Sequence, residues 1–422
     1  DPQQRLFLTT AWRALCDAGF TREMLAGSDM GVFAGYASDL KGSYLDLVNH
    51  FEPENVPLAV AGNLPAILPA RVAYAFDLTG PSMVVDTACS SSLVAIDLAC
   101  QALRRGECSS ALAGGVRLQL MNRDVDPRLG IESESGTTRP FDERADGASL
   151  GEGAGVVVLK PLSHAKADGD RIYGLVLGGA TNQDGHSAGI TAPNPQSQVD
   201  LLCRAWGSSG IDPSQIGCIE THGTGTPLGD QVEFSALQEA LSSAGGRSTP
   251  CLLGAGKSNF GHLFEASGVM SFIKMVLQLQ RHLVPGVVGL ERLNPAIQEA
   301  ESFLRIPNVL TSWEPLEGQR RVGGVSAFGL SGTNCHMVLA EYPEDVSTTR
   351  QVIPDGLRPE RCWITPAQHE EQFFQRSWVS ARLTDSAPAV TCVLGDESSF
   401  AAKCADALGM TVTEWCADKP VN

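Results

Sequence analysis

Long apolar runs are missing from this chain. No window holds the roughly eighteen uninterrupted apolar residues of a membrane span, and no charged-then-apolar leader opens the sequence, so it reads as cytoplasmic and without membrane attachment. Cys-x-x-Cys pairs are missing too. The twelve cysteines are scattered, so their spacing encodes neither a zinc site nor a disulfide framework. Reduced thiols fit such a compartment. Positive charge is in deficit: 31 Lys and Arg against 48 Asp and Glu leave a net charge of -17, which repels nucleic-acid phosphates at long range. An acidic protein partner would have to dock on a local basic patch. What is present is length: 422 residues with 43% hydrophobic content bury a large core and exceed the usual size of one domain.

Along the chain, helix and strand patterns alternate. An amphipathic helix over 2–19 is stopped by Gly19, and an apolar strand over 31–34 follows. A helix pattern over 63–76 and a Thr79-Gly80-Pro81 turn lead into the β-branched run Met83-Val84-Val85. After a helix ending near Gly106, a small-residue strand over 111–116 completes a β-α-β unit. Residues 130–153 are rich in Gly, Ser, Asp and Glu and read as a long loop, of a length that is usually either functional or disordered. Strands over 156–159 and 172–177 have hairpin-like spacing, and 182–198 is irregular before a helix over 198–206. The second half repeats the outline: strand 216–220, helix 230–241, strand 251–254, helix 265–279, then a strand pair over 323–328 and 336–339. This is a weak internal duplication without the short period of a solenoid. From about Tyr342 the composition becomes that of a linker, and beyond Trp378 a strand over 389–394 and a helix over 398–408 start a second α/β unit.

The chain is organised around Asp86-Thr87-Ala88-Cys89-Ser90-Ser91-Ser92. It lies at a strand-to-helix turn, where the free N–H groups and the positive end of a helix stabilise a thiolate, and serines are good caps. Cys89 is therefore a candidate nucleophile. Two of the eight histidines, His222 and His262, stand in short glycine-containing turns after strands, where a neutral imidazole can donate or accept a hydrogen bond.

Four motifs in this order, Asp86 to Ser92, Glu220-Thr221-His222-Gly223-Thr224-Gly225-Thr226, Lys257-Ser258-Asn259-Phe260-Gly261-His262 and Phe328-Gly329-Leu330-Ser331-Gly332-Thr333-Asn334, resemble the ketosynthase domain of modular polyketide synthases. The resemblance covers residues 1–343. It implies an α/β, thiolase-like fold layered α-β-α-β-α with two similar halves, working as a homodimer in polyketide, for instance antibiotic, biosynthesis. It implies an acyl chain held on Cys89 and a malonyl-type extender carried on the phosphopantetheine of an acyl carrier protein, joined by decarboxylative Claisen condensation, with no bound cofactor or metal. His222 and His262 would hold the enolate oxygen, and the backbone N–H groups of Cys89 and Leu330 would hold the tetrahedral oxyanion. Lys257 would organise His262 and the local charge, and Asn334 would order the Gly-rich turn. Thr224, Thr226, Phe328 and Leu330 would contact substrate.

The chain also departs from the family. The family's first strand precedes the equivalent of Asp1, so the first sheet would lack a strand. Leu263 and Phe264 follow His262 where many relatives carry a small or polar residue and then glutamate, which here arrives at Glu265. Ala148-Ser149-Leu150 replaces an often bulkier stretch. The tail, with a linker over 344–388 and a unit over 389–422, resembles the start of a ketoreductase structural region. That order would suit a synthase whose acyltransferase acts in trans.

Other readings stay open at this stage. A non-elongating acyl-transfer relative is expected to lose the first-turn histidine, a silent partner domain the cysteine; this chain keeps both His222 and Cys89. A thiolase would pair a second cysteine with the site, and Cys335 is the one placed after the Gly-rich turn.

Overall fold

The computed structural model describes residues 1–37, 44–120, 130–245, 247, 249–297, 303–315, 318–342 and 350–358, with the backbone of 378–380 and 393–395. The first sheet comprises β1 (Gly31–Gly35), β2 (Ser82–Val85), β3 (Ala111–Arg117) and β4 (Gly153–Leu159), ordered β2-β1-β3-β4. Its strands β2, β1 and β3 run parallel, and β4 closes antiparallel. In the second half come β5 (Leu175–Gln183), β6 (Ile216–Glu220), β7 (Cys251–Gly254), β8 (Leu283–Val284), β9 (Leu304–Arg305), β10 (Thr311–Ser312), β11 (Val322–Phe328) and β12 (Thr333–Ala340). Six of them form the sheet β5-β12-β11-β6-β7-β9, while β8 and β10 pair separately.

Internal duplication is visible in the pairing. The run β7-β6-β11-β12 has the same directions as β2-β1-β3-β4, three parallel strands and then one antiparallel. Strand β5 extends the second sheet beyond β12, and among the described residues no strand holds the matching place beside β4.

Two helices fill the space between the sheets. The helix Ser91–Arg104 packs on β1 and β3 on one side and on β12 and β5 on the other, and 10 of its 14 residues are buried. A helix that is apolar all round can be stable only in such a place. Gly35 permits the contact, because a Cβ there would run into the backbone of Ser91 and Ser92. The helix Ser267–Arg281 lies beside it against β11 and β4. Helices Pro2–Asp17 and Ile67–Phe76 cover the outer face of the first sheet, and Pro195–Ser209 with Pro227–Ser243 the outer face of the second. The layers are α-β-α-β-α, as expected, with the central core formed from both halves.

One topological expectation is corrected. Strands over 156–159 and 172–177 do not form a hairpin: β4 pairs with β3 and β5 pairs with β12, in different sheets. The helix Leu162–Ala167 intervenes and carries the chain from one sheet to the other. β5 also runs on through Asn182 and Gln183, which read as irregular because polar residues there pair with Asn334 and Thr333 instead of facing an apolar layer. Residues 350–358 lie back across the first helix: Ile353 N–H donates to the Cys16 carbonyl at 2.9 Å, Trp12 Nε1–H to the Asp355 carbonyl at 2.8 Å, and Arg13 pairs with Asp355 at 2.9 Å. Most of the expected linker, and the helix over 398–408, lie outside the described residues; a two-stranded pair, Trp378–Ser380 with Val393–Gly395, is described as backbone.

Candidate active site

Cys89 lies in one 3-10 turn, Ala88–Ser90, between β2 and the central helix. Ala88 is held at φ +55, a left-handed conformation that a residue with a Cβ adopts at a cost. The serines hold this elbow and do not cap the helix with their side chains. Ser90 Oγ donates to the carbonyls of Thr87 at 2.9 Å and Thr333 at 2.8 Å, and Ser91 Oγ accepts from Thr87 N–H at 2.9 Å. The β11–β12 turn docks on the elbow through Gly329, where any side chain would strike the Thr87 carbonyl. Gly332 N–H and Gly329 N–H close that turn on Gly329 and Thr333 carbonyls, each at 2.8 Å.

This docking brings the backbone N–H of Leu330 onto the Cys89 sulfur, alongside Cys89's own N–H. Burial opposes the expected thiolate. Burial pushes the thiol up to about 11, against the lowering effects of the Leu330 N–H, Lys257 and its own N–H, and Glu265 adds to the rise. The side chain is 3% exposed, so loss of water outweighs the helix N-terminus.

His222 follows β6. Its Nδ1 accepts from Phe328 N–H at 3.3 Å, and Lys257 Nζ lies 3.4 Å from the same nitrogen. A backbone amide can only donate, so the ring proton is on Nε2. His262 follows the short helix Lys257–Phe260. Its Nδ1 accepts from Phe264 N–H at 3.2 Å and lies 2.8 Å from Ser267 Oγ, which again leaves the proton on Nε2. That Nε2 is buried with no hydrogen-bond partner. Both imidazoles are held neutral, well below their ordinary range, by burial first and then by Lys257, with His262 adding to the effect on His222 and Arg117 to that on His262. The two rings stand 5.7 Å apart and nearly perpendicular. The outcome is two neutral N–H donors at one place.

Lys257 is corrected in its partner. Its Nζ donates to the His222 carbonyl at 2.6 Å, so its direct bond is to His222, while its charge acts on both imidazoles. It is 2% exposed, and burial lowers its affinity for a proton while Glu233, the strongest of the nearby negative charges, raises it. His262 is instead gripped by the stretch around Ser149, whose carbonyl accepts from His262 N–H at 2.7 Å while Gly151 N–H donates to the His262 carbonyl at 2.9 Å. Asn334 does not order the Gly-rich turn with its side chain; it donates to Asp184 Oδ1 at 2.7 Å and ties down the loop after β5. Among the expected substrate contacts, the Phe328 ring lies 5.5 Å from His222, Leu330 faces Cys89 with its N–H, and Thr224 and Thr226 hydroxyls bond each other at 3.0 Å. Cys335 is fully buried in the central core on β12, a packing residue.

Sequence reasoning missed the acids behind the first histidine turn. Glu233 accepts from His222 N–H at 2.8 Å and Gly223 N–H at 2.9 Å, and Asp230 accepts from Gly225 N–H at 3.1 Å and Phe141 N–H at 2.7 Å. The signal was there: two acids three apart, in the first turns of a helix opened by Pro227, face back to the turn before it. Burial pushes Asp230 up to about 7, against the Phe141 N–H, and also raises Glu233. Asp230 thus keeps a proton in the folded chain that the unfolded chain gives up near pH 4. This group's contribution to stability is therefore fully present below that pH and is lost as pH rises through about 4 to 7, by up to about 1.4 kcal/mol per unit, then levels. Asp230→Asn should make the unfolding free energy, measured in urea between pH 5 and 7, shallower in pH by about that slope. An unchanged slope would exclude the assignment.

Comparison with known proteins gives the family. Residues 1–165 match the beta-ketoacyl synthase N-terminal domain and residues 173–291 its C-terminal domain. The mycocerosic acid synthase-like polyketide synthase of Mycolicibacterium smegmatis is 42% identical over 83% of this chain and 16% of its own length. The phthioceranic/hydroxyphthioceranic acid synthase of Mycobacterium tuberculosis is 42% identical over 82% of this chain and 16% of its own. The chain thus spans less than a fifth of these curated relatives. Among solved structures, the ketosynthase from module 6 of the bacillaene synthase of Bacillus subtilis 168 superposes with a TM-score of 0.75 at 38% identity, covering 82% of this chain and 59% of that one. The oxazolomycin ketosynthase domain of Streptomyces albus gives 0.71 at 36% identity, covering 81% and 60%. With family domains matched over residues 1–165 and 173–291 and relatives well above 30% identity, the chain belongs to the beta-ketoacyl synthase family, as a ketosynthase of the polyketide synthase type.

Proposed function

We propose that this ketosynthase extends a polyketide chain by decarboxylative Claisen condensation, with Cys89 as the acyl carrier and a malonyl-type thioester as the extender. The observation that carries the reading is the pair of neutral imidazoles, 5.7 Å apart, each with a backbone N–H on its Nδ1 and so with its proton on Nε2. In the first half-reaction the Cys89 sulfur attacks an acyl thioester, loses its proton and expels the carrier thiol. In the second, the bond from the malonyl α-carbon to its carboxylate breaks, carbon dioxide leaves, and the electron pair passes to the thioester oxygen as an enolate. Two N–H donors set in advance stabilise that oxygen. The α-carbon then attacks the acyl-Cys89 carbonyl, whose oxyanion is received by the N–H groups of Cys89 and Leu330. Collapse expels the Cys89 thiolate, which takes up a proton. None of these steps calls for a metal or an organic cofactor. The test is condensation of an acyl thioester with malonyl thioester by the purified chain, followed by product mass; its absence with every chain length and extender overturns the reading.

The extender would arrive on the phosphopantetheine of an acyl carrier protein, and neighbouring domains would belong to the same synthase, with a ketoreductase after the linker and an acyltransferase in trans as the reading of residues 344–422. Homodimer formation belongs to the same proposal. Strand β2 is the outer strand of its sheet, with Ser82 and Met83 exposed, Met83 by 40%. An open edge of this kind can continue a sheet into a second copy. Light scattering at micromolar concentration should give twice the monomer mass; a monomer would remove this part of the proposal.

A further inference from the structure

Phe264 departs from the family pattern beside His262, and its place in the site follows from four observations. Its ring lies flat on the His262 imidazole, with centroids 4.8 Å apart and planes 10° from parallel. Its backbone is held at φ +43, in the left-handed region that an aromatic residue seldom occupies, and its N–H donates to His262 Nδ1 at 3.2 Å. The Arg117 guanidinium caps the phenyl ring at 5.0 Å from its centroid. Arg117 itself, on β3, is buried and pairs with Glu265 at 3.6 Å, so the cation is anchored by the residue next to Phe264. Glu265, the displaced glutamate of the motif, thus pairs with Arg117.

We propose that Phe264 is the positioning residue of His262: its ring fixes the plane of the imidazole and its N–H fixes the tautomer, with Arg117 holding the phenyl ring in place. A left-handed aromatic persists only where its surroundings over-determine it, and here those surroundings are the imidazole and the guanidinium. Ser267 alone cannot do the work of the ring. Its hydroxyl can either donate to or accept from Nδ1, and a single bond to that nitrogen leaves rotation about it free. The stack removes this freedom, so Nε2–H keeps one fixed direction. The inference rests on the condensation reading for its kinetic consequence, whereas the geometry it asserts can be read without turnover.

The test uses Phe264→Gly, which deletes the ring, keeps the amide and suits a positive φ, and Phe264→Tyr, which keeps the ring. In the protein labelled with ¹⁵N-histidine, the His262 resonances, assigned from their loss in His262→Ala, should report a single Nε2–H tautomer in the parent and in Phe264→Tyr. In Phe264→Gly, which keeps the amide, they should retain the Nε2–H tautomer and broaden as the imidazole gains freedom to rotate. Condensation kcat should fall roughly tenfold in Phe264→Gly, less than the roughly 10²- to 10³-fold that complete loss of such a donor costs, with KM for the malonyl thioester within about twofold and recovery in Phe264→Tyr. Unaltered His262 resonances in Phe264→Gly overturn the positioning role, whatever the kinetics. Failure of the parent protein to condense at all would count against the proposed function alone, since the resonances remain readable.

Discussion

Replacing Cys89 with alanine should abolish covalent acyl loading, so that intact-mass measurement after incubation with acyl thioesters shows the unmodified chain. Peptide mapping of the parent should place the acyl group on Cys89 and on no other of the twelve cysteines. Thiol acidity alone does not make that distinction. Cys16 and Cys251 are pushed up to about 11 and Cys100 to about 12 by burial, much as Cys89 is, and the exposed Cys203 is open to any general alkylating reagent. Cys89 differs in what surrounds its sulfur: two backbone N–H groups from distant segments and the charge of Lys257. These stabilise the negative charge that develops during attack, which is where catalysis is gained. Because the resting thiol is raised to about 11, its thiolate fraction grows with pH throughout the neutral range, and loading should accelerate toward tenfold per unit between pH 6 and 9. Cys89→Ala should still release carbon dioxide from malonyl thioester, since the enolate site does not use the sulfur. An acyl label found on Cys100 or Cys335 would end the assignment.

His222→Ala and His262→Ala should separate the two half-reactions. Each removes one Nε2–H donor, so condensation should drop roughly 10²- to 10³-fold, about 3 to 4 kcal/mol of transition-state stabilisation, while acyl-Cys89 still forms. Glutamine at either position offers an N–H near the lost one and should recover part of the rate. Product formation by mass spectrometry, beside intact-mass measurement of loading, reads both halves in one sample. Condensation at the unmodified rate in both alanine variants would make the histidines structural and the mechanism wrong.

The Lys257 result shows why one assignment moved between residues. Lys257 and His262 share a motif and lie five apart, which invited pairing them, yet the short helix Lys257–Phe260 and the turn after it point the ammonium at the His222 carbonyl. Neighbourhood in sequence did not become neighbourhood of atoms. The hairpin expected between β4 and β5 failed for a related reason: spacing alone does not say that the two strands belong to different sheets.

What the sequence determined by itself is local. Apolar periodicity placed the strands and helices, glycine-bearing turns placed His222 and His262 at strand ends, and the β-branched run before Cys89 with the helix pattern after it placed the elbow. These depend on contacts between near neighbours in the chain. Tertiary structure decided the chemistry of the groups so placed. The proton sits on Nε2 in both imidazoles because Phe328, from β11, and Phe264, strained into a left-handed turn, donate to Nδ1; the Cys89 thiol is pushed up because burial by both halves strips its water; and Asp230 holds a proton because its carboxyl is enclosed. Desolvation and the direction of a donor depend on what the whole fold packs around a group, and residues far apart in the chain supply it.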